Sequence, residues 1–404
     1  DYTGKRMGVL WMNQVNRILS TYTADVSGVC SALYEMGGMT VMHDASGCNS
    51  TYNTHDEPRW YHMPSMVYIT GLSEMEAVLG DEEKTVRDVV DAARQLSPRF
   101  VALAGTLIPT MMGTDFPGLA RMIERRSGIP SFGFSTTGMS SYVKGVSTAL
   151  AGIAKRFCPD EVEKLPRGEH PSVNLLGVTP LDFSVTGTVE AMRELLEEAG
   201  CPVVSCWAMG SSWEELMEAG RAQVNLVVSS AGMALAKVLK EKYGIPYVVG
   251  LPTGEGMTKE VLAALDIAAE TGKDQRPAGG RRISEEKWES KPVLVIGEAV
   301  WAASMCRGLE LDFGLPARAL CPLELDAGVL DRSDGRCTGE VEISREMKQA
   351  SLVIADPLYK GVQPKDVPFL GFPHEGYSGR IWRREIPVFV GTSWNEWMRK
   401  GVER

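Results

Sequence analysis

The chain has 404 residues and a formal charge of −10, with 44% hydrophobic and 23% charged residues. That length exceeds one simple core and sets two or three domains as the expectation, and the composition is that of an ordinary globular protein. The acidic balance argues against nucleic acid, whose phosphates need clustered Lys and Arg; Arg125-Arg126 and Arg281-Arg282 are short pairs, and no apolar run approaches the roughly 20 residues of a membrane helix.

In chain order, short apolar strands alternate with amphipathic helices, the pattern of α/β domains with parallel sheets. The start, Asp1-Tyr2-Thr3-Gly4-Lys5-Arg6, lacks the apolar core of a signal peptide. Eight cysteines spread over the whole length do not make a disulfide framework, so a reducing cytoplasm is expected. A helix is expected over 26–36, stopped at Gly37-Gly38, with a strand at 39–43 running back beside it. Further strands are expected at 67–70, 100–104 and 130–134. Ser73 and Glu76 stand at capping-box spacing. Residues 82–94 read as a helix with Val86, Val89, Val90 and Ala93 on one face. A longer helix over 140–157 closes a first domain, 1–165, and the polar stretch 159–171 reads as a linker.

The second domain, 166–285, carries expected strands at 173–178, 202–206, 224–229 and 246–250. Its helices are expected at 189–199, stopped by Gly200, and at 233–242. Residues 273–282 read as a second linker. The third domain, 286–404, opens with a strand at 292–296 and a helix at 299–309, followed by strands at 351–355 and 387–390. The fold expected is α/β, with three Rossmann-like domains on parallel sheets. Ligands in such open sheets bind beyond the C-terminal strand ends. This directs attention to 43–48, 105–115, 179–186, 229–232, 252–255, Glu298 and 357–360.

The sequence has no Walker A motif and no G-x-G-x-x-G after a strand, so no nucleotide is assigned to the chain itself. Cys30 and Cys48 are the pair that carries chemistry. Cys30 lies near the start of the first helix, and Cys48 ends the loop after the strand that returns beside it. A helix start and the end of its returning strand lie at one end of such a unit, and Gly47 allows a close backbone approach. Two thiolates aimed at one place are half of an iron–sulfur site, since a cubane takes about four cysteines. The other half is expected from a second subunit. Cys201 and Cys206 flank a strand and read as core; Cys337 reads as surface loop. His374 lies in Pro373-His374-Glu375-Gly376-Tyr377-Ser378-Gly379-Arg380, a loop of small residues that suits a pocket wall.

These residues, in this order, resemble component 1 of nitrogenase and its relatives over nearly the whole length. His43-Asp44-Ala45-Ser46-Gly47-Cys48 is similar to the family's His-Gly-Pro-x-Gly-Cys loop, whose cysteine binds a bridging cluster, and Cys30 looks like the upstream cluster cysteine. Ile69-Thr70-Gly71-Leu72-Ser73-Glu74, then Val78-Leu79-Gly80-Asp81-Glu82-Glu83-Lys84, resembles the family's T-x-L-S-E…V-x-G-G-E-x-K segment. Gly113-Thr114-Asp115 is similar to its Ile-Gly-Asp-Asp turn, and Asn225-Leu226-Val227 with Glu241-Lys242-Tyr243-Gly244-Ile245-Pro246 resembles a stretch of its second domain. Two departures stand out. The family's third cluster cysteine is missing from Ala104-Gly105-Thr106-Leu107, and the cysteine that anchors the nitrogenase cofactor falls near Ser229. His374 lies in the region of that cofactor's histidine.

The resemblance implies a nitrogenase-like reductase subunit. Cys30 and Cys48 would hold a [4Fe-4S] cluster, or a larger iron–sulfur cluster, between two subunits of a homodimer or of a heterodimer with a similar chain. An ATP-dependent iron protein would donate electrons, a small molecule would be reduced, and His374 would donate a proton. Two other readings stand beside it: a scaffold or carrier for iron–sulfur cofactor assembly without steady turnover, and a binding protein in which both cysteines are core.

Overall fold

The structure, a computed structural model, describes residues 16–45, 47, 49, 52, 56–279, 291–324, 328–331 and 333–402. Thirteen strands among these form three sheets, all with parallel pairing. β1 (Met39–His43), β2 (Met66–Ile69), β3 (Val101–Gly105) and β4 (Ser131–Phe134) lie in the order β2-β1-β3-β4. β5 (Val173–Leu176), β6 (Val203–Cys206), β7 (Val224–Val227) and β8 (Tyr247–Val249) repeat that plan as β6-β5-β7-β8. The third sheet holds β9 (Val293–Ile296), β10 (Ala317–Cys321), β11 (Gly335–Arg336), β12 (Leu352–Ala355) and β13 (Phe369–Gly371), ordered β11-β10-β9-β12-β13.

The central strands β1, β3, β5, β7 and β9 are buried along their whole length. Parallel strands covered by helices on both faces require this, and it is why they read as largely apolar runs, with Asn174 and Asn225 of β5 and β7 paired to each other at 2.8 Å. In the first sheet, the helices Glu82–Leu96 and Phe116–Ser127 cover one face through Val86, Val89, Val90, Leu119 and Ile123. Asp25–Leu33 and Tyr142–Phe157 belong to the larger core, which runs without a break through residues of all three sheets. These two helices meet backbone to backbone. A Cβ on Gly28 would collide with the Tyr142 carbonyl, and one on Gly145 with the Asp25 carbonyl, so glycine is the residue that permits the crossing.

Most expected strands are present within a residue or two. The capping box forms as read: Ser73 N–H donates to Glu76 Oε2 at 2.7 Å, and Glu76 N–H to Ser73 Oγ at 3.3 Å. Residues 387–390 are a correction. They form an extended connection with no sheet partner, and a bridge occurs only beyond them, Thr253 to Gly391. Phe389 there packs edge-on to Trp301 and Phe372, so the apolar residues that suggested a strand are filling core. β10, β11 and β13 were not anticipated, nor was the helix Gly254–Thr271.

In a doubly wound sheet, the crevice forms where strand order reverses, just past the strand ends. The first sheet reverses between β1 and β3, at His43, Asp44 and Thr106. The second reverses between β5 and β7, at Thr179 and Ser229. The third reverses between β9 and β12, at Glu298 and Asp356.

Candidate functional site

The first switch point is where the cysteine pair was expected. Cys30 sits in the second turn of Asp25–Leu33, fully buried. Burial pushes its thiol upward, and the nearby Glu57 carboxylate adds to the push. Cys48 lies outside the described residues, as does His55. Tyr52, four positions beyond Cys48, is buried in the same core as Cys30 and feels its charge. Tyr52 donates to Glu57 beside the Cys30 helix. At Gly47 an added Cβ would meet nothing within 4 Å among the described residues.

A buried charge cluster backs Cys30. The Arg59 Nε donates to Glu57 Oε1 at 2.6 Å, Nη1 to Glu35 Oε1 at 2.8 Å and to the Ala208 carbonyl at 3.1 Å, and Nη2 to the Ser31 carbonyl at 2.8 Å. Glu57 also accepts from Ser31 Oγ at 3.2 Å and Tyr52 Oη at 3.0 Å. Burial opposes the Arg59 charge, but Glu57 outweighs it and holds the guanidinium protonated. Through Ala208, Arg59 ties the Cys30 helix to the second sheet. On the other side of the switch point, His43 Nδ1 lies 2.9 Å from Thr70 Oγ1, and burial lowers the proton affinity of the ring. Thr106 Oγ1 donates to Asp44 Oδ1 at 2.9 Å.

Two short helices leave this same sheet end with their apolar residues in solvent. Glu74–Leu79 has no buried residue, with Val78 82% and Leu79 73% exposed; it touches Leu107–Met112, where Met111 is 80% exposed. Helices in a settled core bury such side chains, so this face is unfinished in the single chain.

The second and third switch points meet each other. Asp182 lies at their junction and gathers donors from three parts of the chain. It accepts from the Tyr142 hydroxyl at the head of the Tyr142–Phe157 helix. It accepts from Ser229 Oγ at 2.7 Å, beyond β7. His374, beyond β13, brings Nε2 to 3.4 Å from Asp182 Oδ1 without completing a hydrogen bond. The Gly376 N–H donates to His374 Nδ1 at 3.2 Å, so Nδ1 is an acceptor and the neutral ring carries its proton on Nε2. Asp356 Oδ2 fixes the loop by accepting from His374 N–H at 2.7 Å and Ser378 Oγ at 2.8 Å. Glu298 accepts from the Ser230 N–H at 3.0 Å and the Trp301 N–H at 3.1 Å. Burial, and then the charge of Asp182, raise its carboxyl above the usual range. Tyr377 stacks on His374 at 4.5 Å between centroids, and Trp301 meets it edge-on at 5.9 Å.

The junction is closed: Ser229, His374, Asp182 and Glu298 are all buried. Its donors are oxygens and one imidazole, with the buried Cys321 thiol within electrostatic range of Glu298, Tyr142 and Tyr377, and the hydroxyl at the position expected for a cofactor cysteine is already committed to Asp182. A thiolate-anchored, anionic iron–sulfur cofactor does not fit this acidic set. Beside the junction lies a cleft of about 880 Å³, lined by Tyr22, Ser141, Glu324, Arg336, Cys337 and Glu342 among others. Cys337 is a correction. It is only 6% exposed, its Sγ lies 3.3 Å from Glu342 Oε2, and burial followed by that contact pushes its thiol up to about 12. Sequence reading located Ser229, His374 and Glu298, and the 179–186 loop without singling out Asp182. Tyr142 and Asp356 were missed. The switch-point rule would have found Asp356, directly after β12, whereas nothing local marks Tyr142.

Three parallel doubly wound sheets, their switch points turned toward one another, define a three-lobed α/β protein with one centre near a lobe's edge and one at the meeting of lobes. Residues 26–293 match the family described as nitrogenase component 1 type oxidoreductase. That match spans more than half the chain, and the chain belongs to this family. It is 27% identical over 191 residues to the nitrogenase iron-molybdenum cofactor biosynthesis protein NifE of Methanosarcina barkeri, covering 45% of this chain and 40% of the relative. It is 25% identical over 244 residues to a subunit of the light-independent protochlorophyllide reductase of Prosthecochloris aestuarii, covering 54% and 45%. It is 25% identical over 335 residues to the nitrogenase molybdenum-iron protein alpha chain of Methanothermobacter marburgensis, covering 78% and 70%. The matches to the first two span less than half the length of those relatives. Among solved structures, nitrogenase Cp1 at pH 6.5 superposes with a TM-score of 0.66 at 18% identity, over 92% of this chain and 90% of that one, a likeness of fold. The family thus contains reductases and cofactor-biosynthesis proteins alike. Among the described residues, no helix is long and apolar enough to cross a membrane.

Proposed function

We propose that this chain is a nitrogenase-like reductase subunit. It receives low-potential electrons from an ATP-dependent iron protein through an iron–sulfur cluster shared with a second subunit, and it reduces a small molecule. The observation that supports this reading is the burial of Tyr52, four positions after Cys48 in sequence, in the same core as Cys30 at the first switch point. Thiolates are the donors such a cluster takes; Cys30 is one such donor, and Cys48 lies outside the described residues. Two cysteines leave the set half filled, and the exposed apolar helices beside it supply a face for the second subunit. That subunit is read as another copy of this chain, giving a homodimer with a [4Fe-4S] cluster on its axis. The cluster supplies one-electron chemistry. The chain's own contributions are the two thiolates and the Arg59–Glu57 pair that holds the Cys30 helix in place. His374, held as the Nε2–H form, is the proton donor.

The measurement that tests this is iron and sulfide per dimer on anaerobically prepared protein, with EPR after reduction. About four irons per dimer and a reduced-cubane signal are expected; no iron after anaerobic reconstitution overturns the reading. The closed junction and the NifE relatives favour one second reading, a scaffold for cofactor assembly. Steady electron consumption with an iron protein, ATP and reductant separates the two, since a scaffold does not turn over.

A further inference from the structure

Asp182 touches all three lobes. Its carboxyl takes the Tyr142 hydroxyl from the first, the Ser229 hydroxyl from its own, and faces the His374 imidazole of the third. Thr179 Oγ1 stands at 3.5 Å, at the outer limit of a hydrogen bond. His374 cannot choose another orientation cheaply, because its Nδ1 caps the turn Glu375–Ser378 by accepting the Gly376 N–H. The remaining ring proton, on Nε2, is buried and lacks a completed hydrogen bond, and Asp182 Oδ1 lies 3.4 Å from that nitrogen. A buried polar hydrogen left open in a native fold calls for an explanation, and catalytic contacts often stand long before substrate binds.

We propose that Asp182 is the positioning residue of His374: it orients the Nε2–H of the imidazole and couples that proton to the closure of the three lobes. This rests on the reading of His374 as proton donor. The backbone N–H at Nδ1 sets which nitrogen bears the proton, and Asp182 sets where that proton points. Tyr142 and Ser229 fix the carboxyl in turn, so a shift of any lobe changes the distance between Oδ1 and Nε2. The other titratable groups around the ring are Glu298 past β9, Asp356 past β12, and Tyr142 and Tyr377 on their own helices.

The test is NMR of the full chain labelled with ¹⁵N-histidine, the His374 signal assigned by its loss in His374→Gln. The wild type should show the Nε2–H form, with a proton protected from exchange. Asp182→Asn should lose that protected proton, and Asp182→Glu should restore it. In the reductase assay, Asp182→Asn should lower turnover about a hundredfold, within the usual contribution of a placed acid or base, with KM little changed. A wild-type Nδ1–H form overturns the proposal, as does an unchanged Nε2–H signal in folded Asp182→Asn. If Asp182→Asn does not fold, Tyr142→Phe and Ser229→Ala decide. Each removes one of the two hydroxyls that fix the Asp182 carboxyl and should weaken the protection of the Nε2 proton, whereas an unchanged His374 signal in both folded variants overturns the proposal. His374→Ala with full turnover would remove the proton-donor role, while the NMR still reports whether Asp182 holds the ring.

Discussion

The first switch point and the junction of the second and third occupy equivalent places in similar sheets, yet they are built from opposite materials. The first offers sulfur, a buried guanidinium and a rim of exposed apolar helices. The second offers carboxyls, hydroxyls and an imidazole, sealed under aromatic rings. Topology decides where a crevice forms, and the few residues after each strand decide what it can hold. In this chain the first crevice keeps exposed apolar helices at its rim, and the other is completed by the chain's own lobes.

The sharpest way to break the contrast is at the sulfur side. Cys30→Ala and Cys48→Ala should each abolish iron binding with little loss of fold, read by iron assay and circular dichroism; full iron in either variant would take that cysteine out of the ligand set. Next comes Arg59→Met, which strands Glu57 in the interior. Breaking a buried pair from one side costs about 3–5 kcal/mol, so a large fall in unfolding midpoint is expected, and Glu57→Gln together with Arg59→Met should recover part of it. On the rim, Leu79→Asp with Met111→Asp should convert a dimer to a monomer by light scattering while the thermal midpoint of the monomer holds.

On the junction side the effects are smaller. Ser229→Ala removes one hydrogen bond to Asp182 and should cost about 1 kcal/mol, checked by denaturant titration. The smallest is a pH effect at Glu298. Its carboxyl is raised above the ordinary 4.5 in the fold, so the folded chain binds this proton more tightly than the unfolded one. The stability it contributes is full below about pH 4.5 and is lost as pH climbs through the folded value. Glu298→Gln should therefore flatten the decline of stability above that pH relative to wild type. An unchanged difference curve would show that Glu298 is ionised in the fold.

Much of this was legible in the chain. The central strands announce themselves because burial on both faces favours apolar residues, as in Val293–Ile296. The capping box at Ser73 is local chemistry and forms as read. β10 hid because Arg318 interrupts Ala317–Cys321, and Pro387–Val390 misled because apolar residues that fill a core look like those that pair in a sheet. The helix Gly254–Thr271 opens on Gly254 at φ +76, which reads as a turn. At the junction, the 229–232 loop came from the strand-end rule and His374 from its loop of small residues, and the resemblance added their roles. Asp182 and Tyr142, 40 residues apart, acquire meaning only when two lobes close on each other.

The glycine crossing of Asp25–Leu33 and Tyr142–Phe157 has a mechanical consequence. One of these helices carries Cys30, and the other begins with the tyrosine that holds Asp182. With backbone pressed on backbone at Gly28 and Gly145, no flexible side chain lies between them to absorb a displacement. The pair behaves as a single stiff beam, with the thiol at one bearing and the acid at the other. A displacement imposed at the Cys30 end is delivered to the sealed chamber without slack.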